Sequence, residues 1–462
     1  LKILLIKPKS TVFYNIAVPP LGLQYLSAVL KQAGYRDVKI VHMDVQKLEM
    51  EDIKKEIREY NPDVIGLSVI ISEAVHMVTV ADIAKRINPD SLVVVGGPYP
   101  SACPEQCLNN ASIDIVVRGE GELTFLDIVK SREAGYSYKG IDGIVYNDGG
   151  IRHNQQREFY QNIDDLPLPD YEGINIDLYK EFIPQTPLLF KQKHVRVITS
   201  RGCPYKCGFC YPTMGRSYRH HSAKRVVNEI FALCEKYNTK NVEIIDDVFN
   251  FDRDRALAIM NMIADADKGI KIYFPSGLRG DLLDRVMIDV FKKAGVVYMP
   301  VGIETANQQK QKEIGKNVDL AKLKDNVKYG TSKRIFINGY FILGLPGEKV
   351  IDILRTIWFA CISPLHSASF FILHCYEGSD FSKRFDEKKI IKPHNAVSTF
   401  FSSARFINAS SINDFTLIFL LQLANFIFYF NPVRAFRILR DMPDRKCFFF
   451  LIRRFVERMI TS

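Results

Sequence analysis

The sequence contains no G-x-G-x-x-G and no Walker run, so a dinucleotide or nucleoside triphosphate site of the usual glycine-rich kind is not expected. No apolar stretch reaches the ~20 residues that cross a bilayer. The strongly apolar run Thr416–Phe430 falls short and carries Gln422 and Asn425. The opening residues Leu1–Pro8 are too few and wrongly flanked for a signal peptide, and read as a first strand. A disulfide framework is also missing. The nine cysteines are odd in number, which argues for a reducing, cytoplasmic setting. A net charge of +10 is a mild basic excess that suggests anionic partners, yet no nucleic-acid recognition module accompanies it. What remains is ordinary for a large intracellular enzyme: 462 residues, 47% hydrophobic and 25% charged, enough for two or three domains.

Along residues 1–140, apolar β-branched runs at Ile3–Ile6, Val38–Val41, Val64–Val69, Leu92–Val95 and Ile115–Val117 predict strands. Amphipathic stretches at Leu21–Gln32, Glu51–Tyr60, Ala74–Ile87 and Glu122–Val129 predict the helices between them. Strands apolar throughout and joined by helices imply a parallel sheet covered on both faces, here a five-stranded doubly wound α/β domain. Its ligand is expected beyond the C-terminal strand ends, where the strand order reverses. Four loops at those ends are rich in glycine and proline: Pro19–Gly22, Gly66–Val69, Gly96–Ser101 and Gly119–Glu122. Any βα turn uses such residues, but four on one edge favour a floor that backbone brings close to a ligand.

Residues 141–190 read as a hairpin, turning at Asp148–Gly149, followed by a proline-marked linker at Asp164–Asp170. A second alternation fills 191–376, with strands predicted at 195–199, 242–246, 271–275, 297–302, 336–343 and 369–374. Helices are predicted at Ala223–Tyr237, Arg253–Ala264, Asp284–Lys293 and Glu348–Cys361. Six such repeats fit a partial (β/α)6 barrel with its chemistry on the loops after the strands. The region 377–462 predicts helices. Beyond its apolar run, Arg434, Arg437, Arg440, Arg445, Lys446, Arg453, Arg454 and Arg458 outnumber Asp441, Asp444 and Glu457. Two readings stand side by side: a helical cap packed on the barrel, or peripheral contact of 416–458 with the inner, anionic face of a membrane.

The loop after the first barrel strand carries Cys203, Cys207 and Cys210 in a C-x3-C-x2-C spacing. Four thiolates normally hold a [4Fe–4S] cluster, so three leave one iron open to a small chelating molecule. A structural zinc is the other reading, but it wants a fourth ligand. Cys234 falls in a predicted helix, and His220–His221 do not fit the usual zinc spacings.

In order along the chain stand Pro19-Pro-Leu-Gly-Leu23, Gly96-Gly-Pro-Tyr-Pro-Ser101, Arg118-Gly-Glu-Gly-Glu122 and Ser200-Arg-Gly-Cys-Pro-Tyr-Lys-Cys-Gly-Phe-Cys210. Together, over about residues 1–380, they resemble the cobalamin-binding radical S-adenosylmethionine (SAM) family, in the branch with anaerobic magnesium-protoporphyrin ester cyclase and hopanoid C-methylases. The resemblance implies three cofactors: a [4Fe–4S] cluster on Cys203, Cys207 and Cys210, SAM on its open iron, and cobalamin on the N-terminal domain. It implies cobalamin contacts at Pro20, Gly22, Ser68, Gly96, Gly97, Pro98, Gly119, Glu120 and Gly121. For SAM it implies Tyr211 near adenine, Asp246 and Asp247 at the amino group, and Arg279 at the carboxylate. Glu304 would take the ribose hydroxyls, and the loop Gly344–Gly347 would lie alongside adenine. Asp247 and Asp252 are equally placed to cap the following helix instead.

One departure from related cobalamin domains matters. The D-x-H-x-x-G motif that gives cobalt a lower histidine is replaced by Val41-His-Met-Asp-Val-Gln46, so five-coordinate cobalt or a weak lower ligand is expected, with His42 the nearest substitute. The leading functional expectation is methylation of a carbon centre, through a 5′-deoxyadenosyl radical and methylcobalamin, on a small-molecule or lipid substrate. An external electron donor such as ferredoxin or flavodoxin would feed the cluster. A cyclase or oxidoreductase, and a non-catalytic corrinoid or iron–sulfur sensor, are the competing expectations.

Overall fold

In the computed structural model, which describes residues 1–11, 16–385, 390–392, 408, 410–444 and 447, the five N-terminal strands run parallel. They are β1 (Ile3–Lys7), β2 (Val38–His42), β3 (Val64–Ser68), β4 (Leu92–Gly96) and β5 (Ile115–Val117), in the order β2-β1-β3-β4-β5. Helices α1 (Leu21–Gln32), α2 (Met50–Tyr60), α3 (Ala74–Ile87), α4 (Pro98–Ala102), α5 (Pro104–Leu108) and α6 (Glu122–Ala134) connect and cover them. Ile3–Ile6 and Val93 are sealed from solvent, which is why these strands carry no polar alternation. The order reverses between β1 and β3, so the crevice a doubly wound sheet offers opens at their C-terminal ends.

The sheet has seven strands rather than the five expected. The predicted hairpin, β6 (Ile144–Asn147) and β7 (Ile151–His153), adds antiparallel to β5, pairing Val117 with Ile144. Ile144 and Val145 are fully buried, so the hairpin covers an edge that β5 would otherwise leave open. The stretch expected as a linker is tied down. The Asp170 carboxylate accepts from Ser27 Oγ and Lys31 Nζ of α1, each at 2.6 Å, and from Gly173 N at 3.0 Å. Leu1–Pro184 accordingly form one compact unit together with Thr213–Gly215.

The second unit holds Gln185–Pro212 and Arg216–Ile391 and continues into the C-terminal helices. Strand β8 (Val195–Val197) leads into β9 (Ser200–Arg201), which pairs antiparallel with β10 (Arg219–His220) and closes the base of the cysteine loop. The parallel series continues with β11 (Asn241–Ile244), β12 (Lys271–Tyr273), β13 (Val296–Tyr298), β14 (Val301–Glu304), β15 (Asn338–Leu343) and β16 (Ser367–Ile372). The first three form one sheet with β8, and the last three a second. Bridges between Leu278 and Val301 and between Tyr298 and Phe336 join them. The strand expected at 297–302 is split in two at Met299–Pro300, because Pro300 has no N–H for the ladder. Helices α7 (Ala223–Lys236), α8 (Arg253–Ala266), α9 (Arg285–Lys293), α10 (Gln308–Glu313), α11 (Leu320–Ser332) and α12 (Val350–Ile362) complete the partial barrel. Ser222, Asp252 and Asp284 cap α7, α8 and α9 through their side chains.

The C-terminal region forms α13 (Asp414–Tyr429) and α14 (Pro432–Asp441), which meet at a 67° bend. Leu417, Leu420, Ala424 and Phe428 bury one face of α13, which packs on β16 and α12. Arg434, one of the basic residues that follow the apolar run, is 2% exposed. Its Nη2 donates to the carbonyls of Cys361 at 2.8 Å and Ser363 at 3.1 Å, and its guanidinium lies 3.5 Å from the Phe428 ring centroid. A cation satisfies the open carbonyls at the C-terminal end of α12, so this arginine is spent on packing. Asp441 joins Arg440 to the buried His366. Arg445, Lys446, Arg453, Arg454, Glu457 and Arg458 lie outside the described residues. Among the described residues, no single helix is long and apolar enough to cross a membrane.

Candidate functional site

The cysteine loop is fixed by glycines packed against large neighbours. Gly208 N donates to Ile314 O, and Phe381 N donates to Gly208 O, each at 2.9 Å. A Cβ on Gly208 would lie 2.3 Å from the Phe381 ring. A Cβ on Gly315, whose φ is +70°, would lie 2.4 Å from Lys206 O, so loop and neighbour touch backbone to backbone. Within the loop, Cys203 and Cys207 are half-buried and Cys210 is exposed. Desolvation by surrounding protein raises all three thiols, and neighbouring Cys207 helps push Cys210 up to about 12. Such thiols ionise when a cation binds them. Among the described residues, no three His, Cys, Asp or Glu side chains converge on one metal-ion position. A mononuclear zinc needs that convergence. Three thiols carried on one loop suit three corners of an iron–sulfur cube.

The two aspartates after β11 have separate roles. Asp246 is buried and accepts from Thr199 N at 2.6 Å, Thr199 Oγ1 at 2.5 Å and Ser200 Oγ at 2.6 Å. Burial raises its carboxyl against the opposing pull of Arg255 and these bonds. It therefore anchors the strand that leads into the cysteines and has little left for a ligand. Asp247 is exposed and accepts no hydrogen bond among the described residues. Desolvation, then the neighbouring Asp246, raise it to about 6, and it lies close enough to Cys203 and Cys210 to raise both thiols. The cap of α8 is Asp252, through Arg255 N, so Asp247 is free of that duty. Arg279 is engaged too. It forms a paired contact with Asp281 at 3.1 and 3.3 Å, donates to Asn317 O at 3.0 Å, and stacks 3.8 Å over the Tyr205 ring of the cysteine loop.

Glu304 ends β14 with φ +63°, a left-handed conformation unusual for a glutamate. Gln311 Nε2 clamps that turn by donating to Ile303 O at 2.6 Å and Thr305 O at 2.8 Å. The Glu304 carboxylate pairs with Lys316, whose charge also favours the Cys207 thiolate. The loop after β15 uses Gly344 and Gly347 at φ +78° and +63°. Glu348 accepts from Gly344 N and Leu345 N at 2.8 and 2.9 Å, and burial pushes it up to about 7. Tyr211 follows Cys210 and is half-buried. Lys316, Gln311 and Phe381 escaped the sequence analysis, as did the part Thr199 and Ser200 play in holding Asp246. Thr199 and Ser200 sit directly before the cysteine motif, whereas Lys316 and Phe381 carry no local signal.

In the N-terminal unit, Ser68 and Gly96 are the last residues of β3 and β4, Gly22 and Pro98 lie in the first turns of α1 and α4, and Pro20, Gly97, Gly119, Glu120 and Gly121 lie in the connections after the strands. Gly97 has φ +101°, and a Cβ there would lie 2.9 Å from Val69 N and O. Gly119 N donates to Ser101 Oγ at 3.0 Å, tying two of these loops together. Gly22 is open, with nothing within 4 Å of the point a Cβ would occupy. His42 is buried and its Nδ1 bonds Tyr179 Oη at 2.9 Å. Burial and Lys7 lower it to about 3, so it stays neutral. These residues suit a large ligand held by backbone and van der Waals contact, and His42 is already partnered within the fold.

Residues 14–129 match the family described as B12 binding domain, and residues 197–360 match the Radical SAM superfamily. The chain is 34% identical over 388 residues to an uncharacterised methyltransferase of Pyrococcus horikoshii, covering 82% of each. It is 27% identical over 346 residues to the anaerobic magnesium-protoporphyrin IX monomethyl ester cyclase of Rubrivivax gelatinosus, covering 73% of this chain and 61% of the relative. Its fold is similar to that of the radical SAM methyltransferase TsrM from Kitasatospora setae, solved with cobalamin and a [4Fe–4S] cluster. That match has TM-score 0.68 and 16% identity, over 82% of this chain and 73% of the other. With a B12-binding sheet, a radical SAM barrel and a cysteine loop suited to a cluster in one chain, the protein belongs to the cobalamin-dependent radical SAM methyltransferase family, whose cofactors are a [4Fe–4S] cluster, SAM and cobalamin.

Proposed function

We propose that this enzyme methylates a carbon centre of a hydrophobic substrate. When bound, the cluster and SAM supply a 5′-deoxyadenosyl radical, and cobalamin supplies the methyl group. Cys203, Cys207 and Cys210 hold the cluster, on a loop that Gly208, Phe381 and Ile314 keep in place. Asp247 offers its unengaged carboxylate to the SAM ammonium, while Asp246 keeps the loop base in register. Glu304 presents acceptor oxygens to the ribose diol, oriented by Lys316. Backbone of Gly344–Gly347 lies along adenine. An external donor such as ferredoxin or flavodoxin supplies electrons.

The observation that carries methyl transfer is the alignment with a methyltransferase over 82% of both chains. A cyclase or oxidoreductase is the second reading, favoured by the alignment with the porphyrin ester cyclase, of which this chain spans 61%. Methyl-labelled SAM separates the two. Anaerobic protein incubated with a lipid extract and labelled SAM should yield a product heavier by one labelled methyl, detected by mass spectrometry. A product changed in mass without label would replace the methylation reading by the oxidative one.

A further inference from the structure

The C-terminal helices bury one face and leave the other apolar. On α12, Ile351, Trp358 and Ile362 recur at helical spacing on one side and are 52, 67 and 49% exposed. On α13, Phe419 and Phe426 share a face and are 53 and 48% exposed, Phe430 at its C-terminal cap is 79% exposed, and Phe436 of α14 is 66% exposed. The three helices are fastened together. α13 packs on α12, and Arg434 of α14 binds the last carbonyls of α12. Exposed apolar side chains standing singly need no explanation, but rows of them on joined helices do.

We propose that this outer face of α12, α13 and α14 seats on an anionic membrane surface. Two features favour lipid over a second copy of the chain. The rows are dominated by aromatic rings and include the chain's one tryptophan, the residue types that settle at the headgroup boundary. Positive charge accompanies them. Arg355, three residues before Trp358, is 64% exposed and 3.5 Å from the Asp352 carboxylate, and the sequence after α14 carries Arg445, Lys446, Arg453, Arg454 and Arg458 against Asp444 and Glu457. Neither α13 nor α14 is by itself long and apolar enough to cross a bilayer, and a 67° bend separates them. Buried Arg434 fixes the platform and takes no part in lipid contact.

Because Trp358 is the only tryptophan, its fluorescence reports on this face directly. Full-length protein mixed anaerobically with phosphatidylglycerol–phosphatidylcholine vesicles at low salt should sediment with them. Its emission should shift to the blue and be quenched by brominated acyl chains. Phosphatidylcholine alone, or high salt, should reduce binding. The triple variant Phe419→Ser, Phe430→Ser, Phe436→Ser, altered only at exposed positions, should bind at least ~10-fold more weakly with SAM cleavage unchanged. Emission that does not move with anionic vesicles at low salt overturns the proposal. So does a lipid-free blue shift that grows with protein concentration alongside a dimer in sedimentation velocity, which would make the face a self-association surface.

Discussion

Gly208→Ala should loosen the cluster loop because of one contact. The added methyl would meet Phe381 Cε1 at 2.3 Å, about 1.2 Å inside the ~3.5 Å at which carbons are comfortable. The ring cannot retreat freely, since Phe381 is 2% exposed and packs against Ile314, Leu345, Leu373 and Cys375. The loop cannot easily yield either, because Gly208 is bonded on one side to Ile314 O and on the other to Phe381 N. Overpacking of this kind costs ~1–3 kcal/mol, and at ~1.4 kcal/mol per factor of ten that is roughly 5- to 150-fold in the population of the cluster-ready loop. The assay is iron and sulfide per chain after anaerobic reconstitution, read during challenge with a chelator. Gly208→Ala should lose iron faster than the parent protein. Adding Phe381→Leu, which removes the clashing ring edge, should restore much of the loss, a coupling that two independent defects would not show. Wild-type iron retention in Gly208→Ala, or two costs that simply add, would refute the reasoning.

Asp246→Asn and Asp247→Asn should differ in kind. The first removes the oxygen that accepts from the Thr199 and Ser200 hydroxyls, and should lower the thermal unfolding temperature and cluster content, a stability loss of roughly 3–5 kcal/mol if the Arg255 charge is left uncompensated. The second should leave unfolding unchanged and weaken SAM binding about tenfold, measured by equilibrium dialysis on reconstituted protein. His42 gives a pH prediction. Its folded pKa of about 3 lies below the ordinary 6.5, so below pH 6.5 the unfolded chain takes up a proton that the folded chain refuses. Its contribution is therefore complete above pH 6.5 and lost as pH falls toward 3, and the melting curve of His42→Asn should depend less on pH across that window. Electron paramagnetic resonance of the Co(II) state should also lack nitrogen splitting from His42, which Tyr179 already holds.

The parallel strands and the cysteine motif were legible because both are local. Runs such as Leu92–Val95 lack alternation only when both faces are covered, and C-x3-C-x2-C is complete within eight residues. What was not legible depends on partners distant in the chain. Asp246 and Asp247 are identical as letters, and only the arrival of Thr199 and Ser200 from β8–β9 makes one an anchor and leaves the other open. Arg434 reads as one more basic residue until the carbonyls of Cys361 and Ser363 meet it. The hairpin's place on the sheet edge follows from strand neighbours that periodicity alone does not reveal, whereas the break at Pro300 has a local cause that the apolar pattern of 297–302 masks. Lys316 comes near Cys207 and Glu304 through a turn with no signature of its own.

The central claim is that Cys203, Cys207 and Cys210 hold the cluster that cleaves SAM. The most direct measurement is 5′-deoxyadenosine formed from SAM under a strong reductant, with iron content in parallel, for the parent protein and for Cys203→Ala, Cys207→Ala, Cys210→Ala together. The account predicts one [4Fe–4S] cluster and steady 5′-deoxyadenosine formation in the parent, and neither in the triple variant. Cluster iron retained in full, or SAM still cleaved, after all three thiols are removed would contradict it.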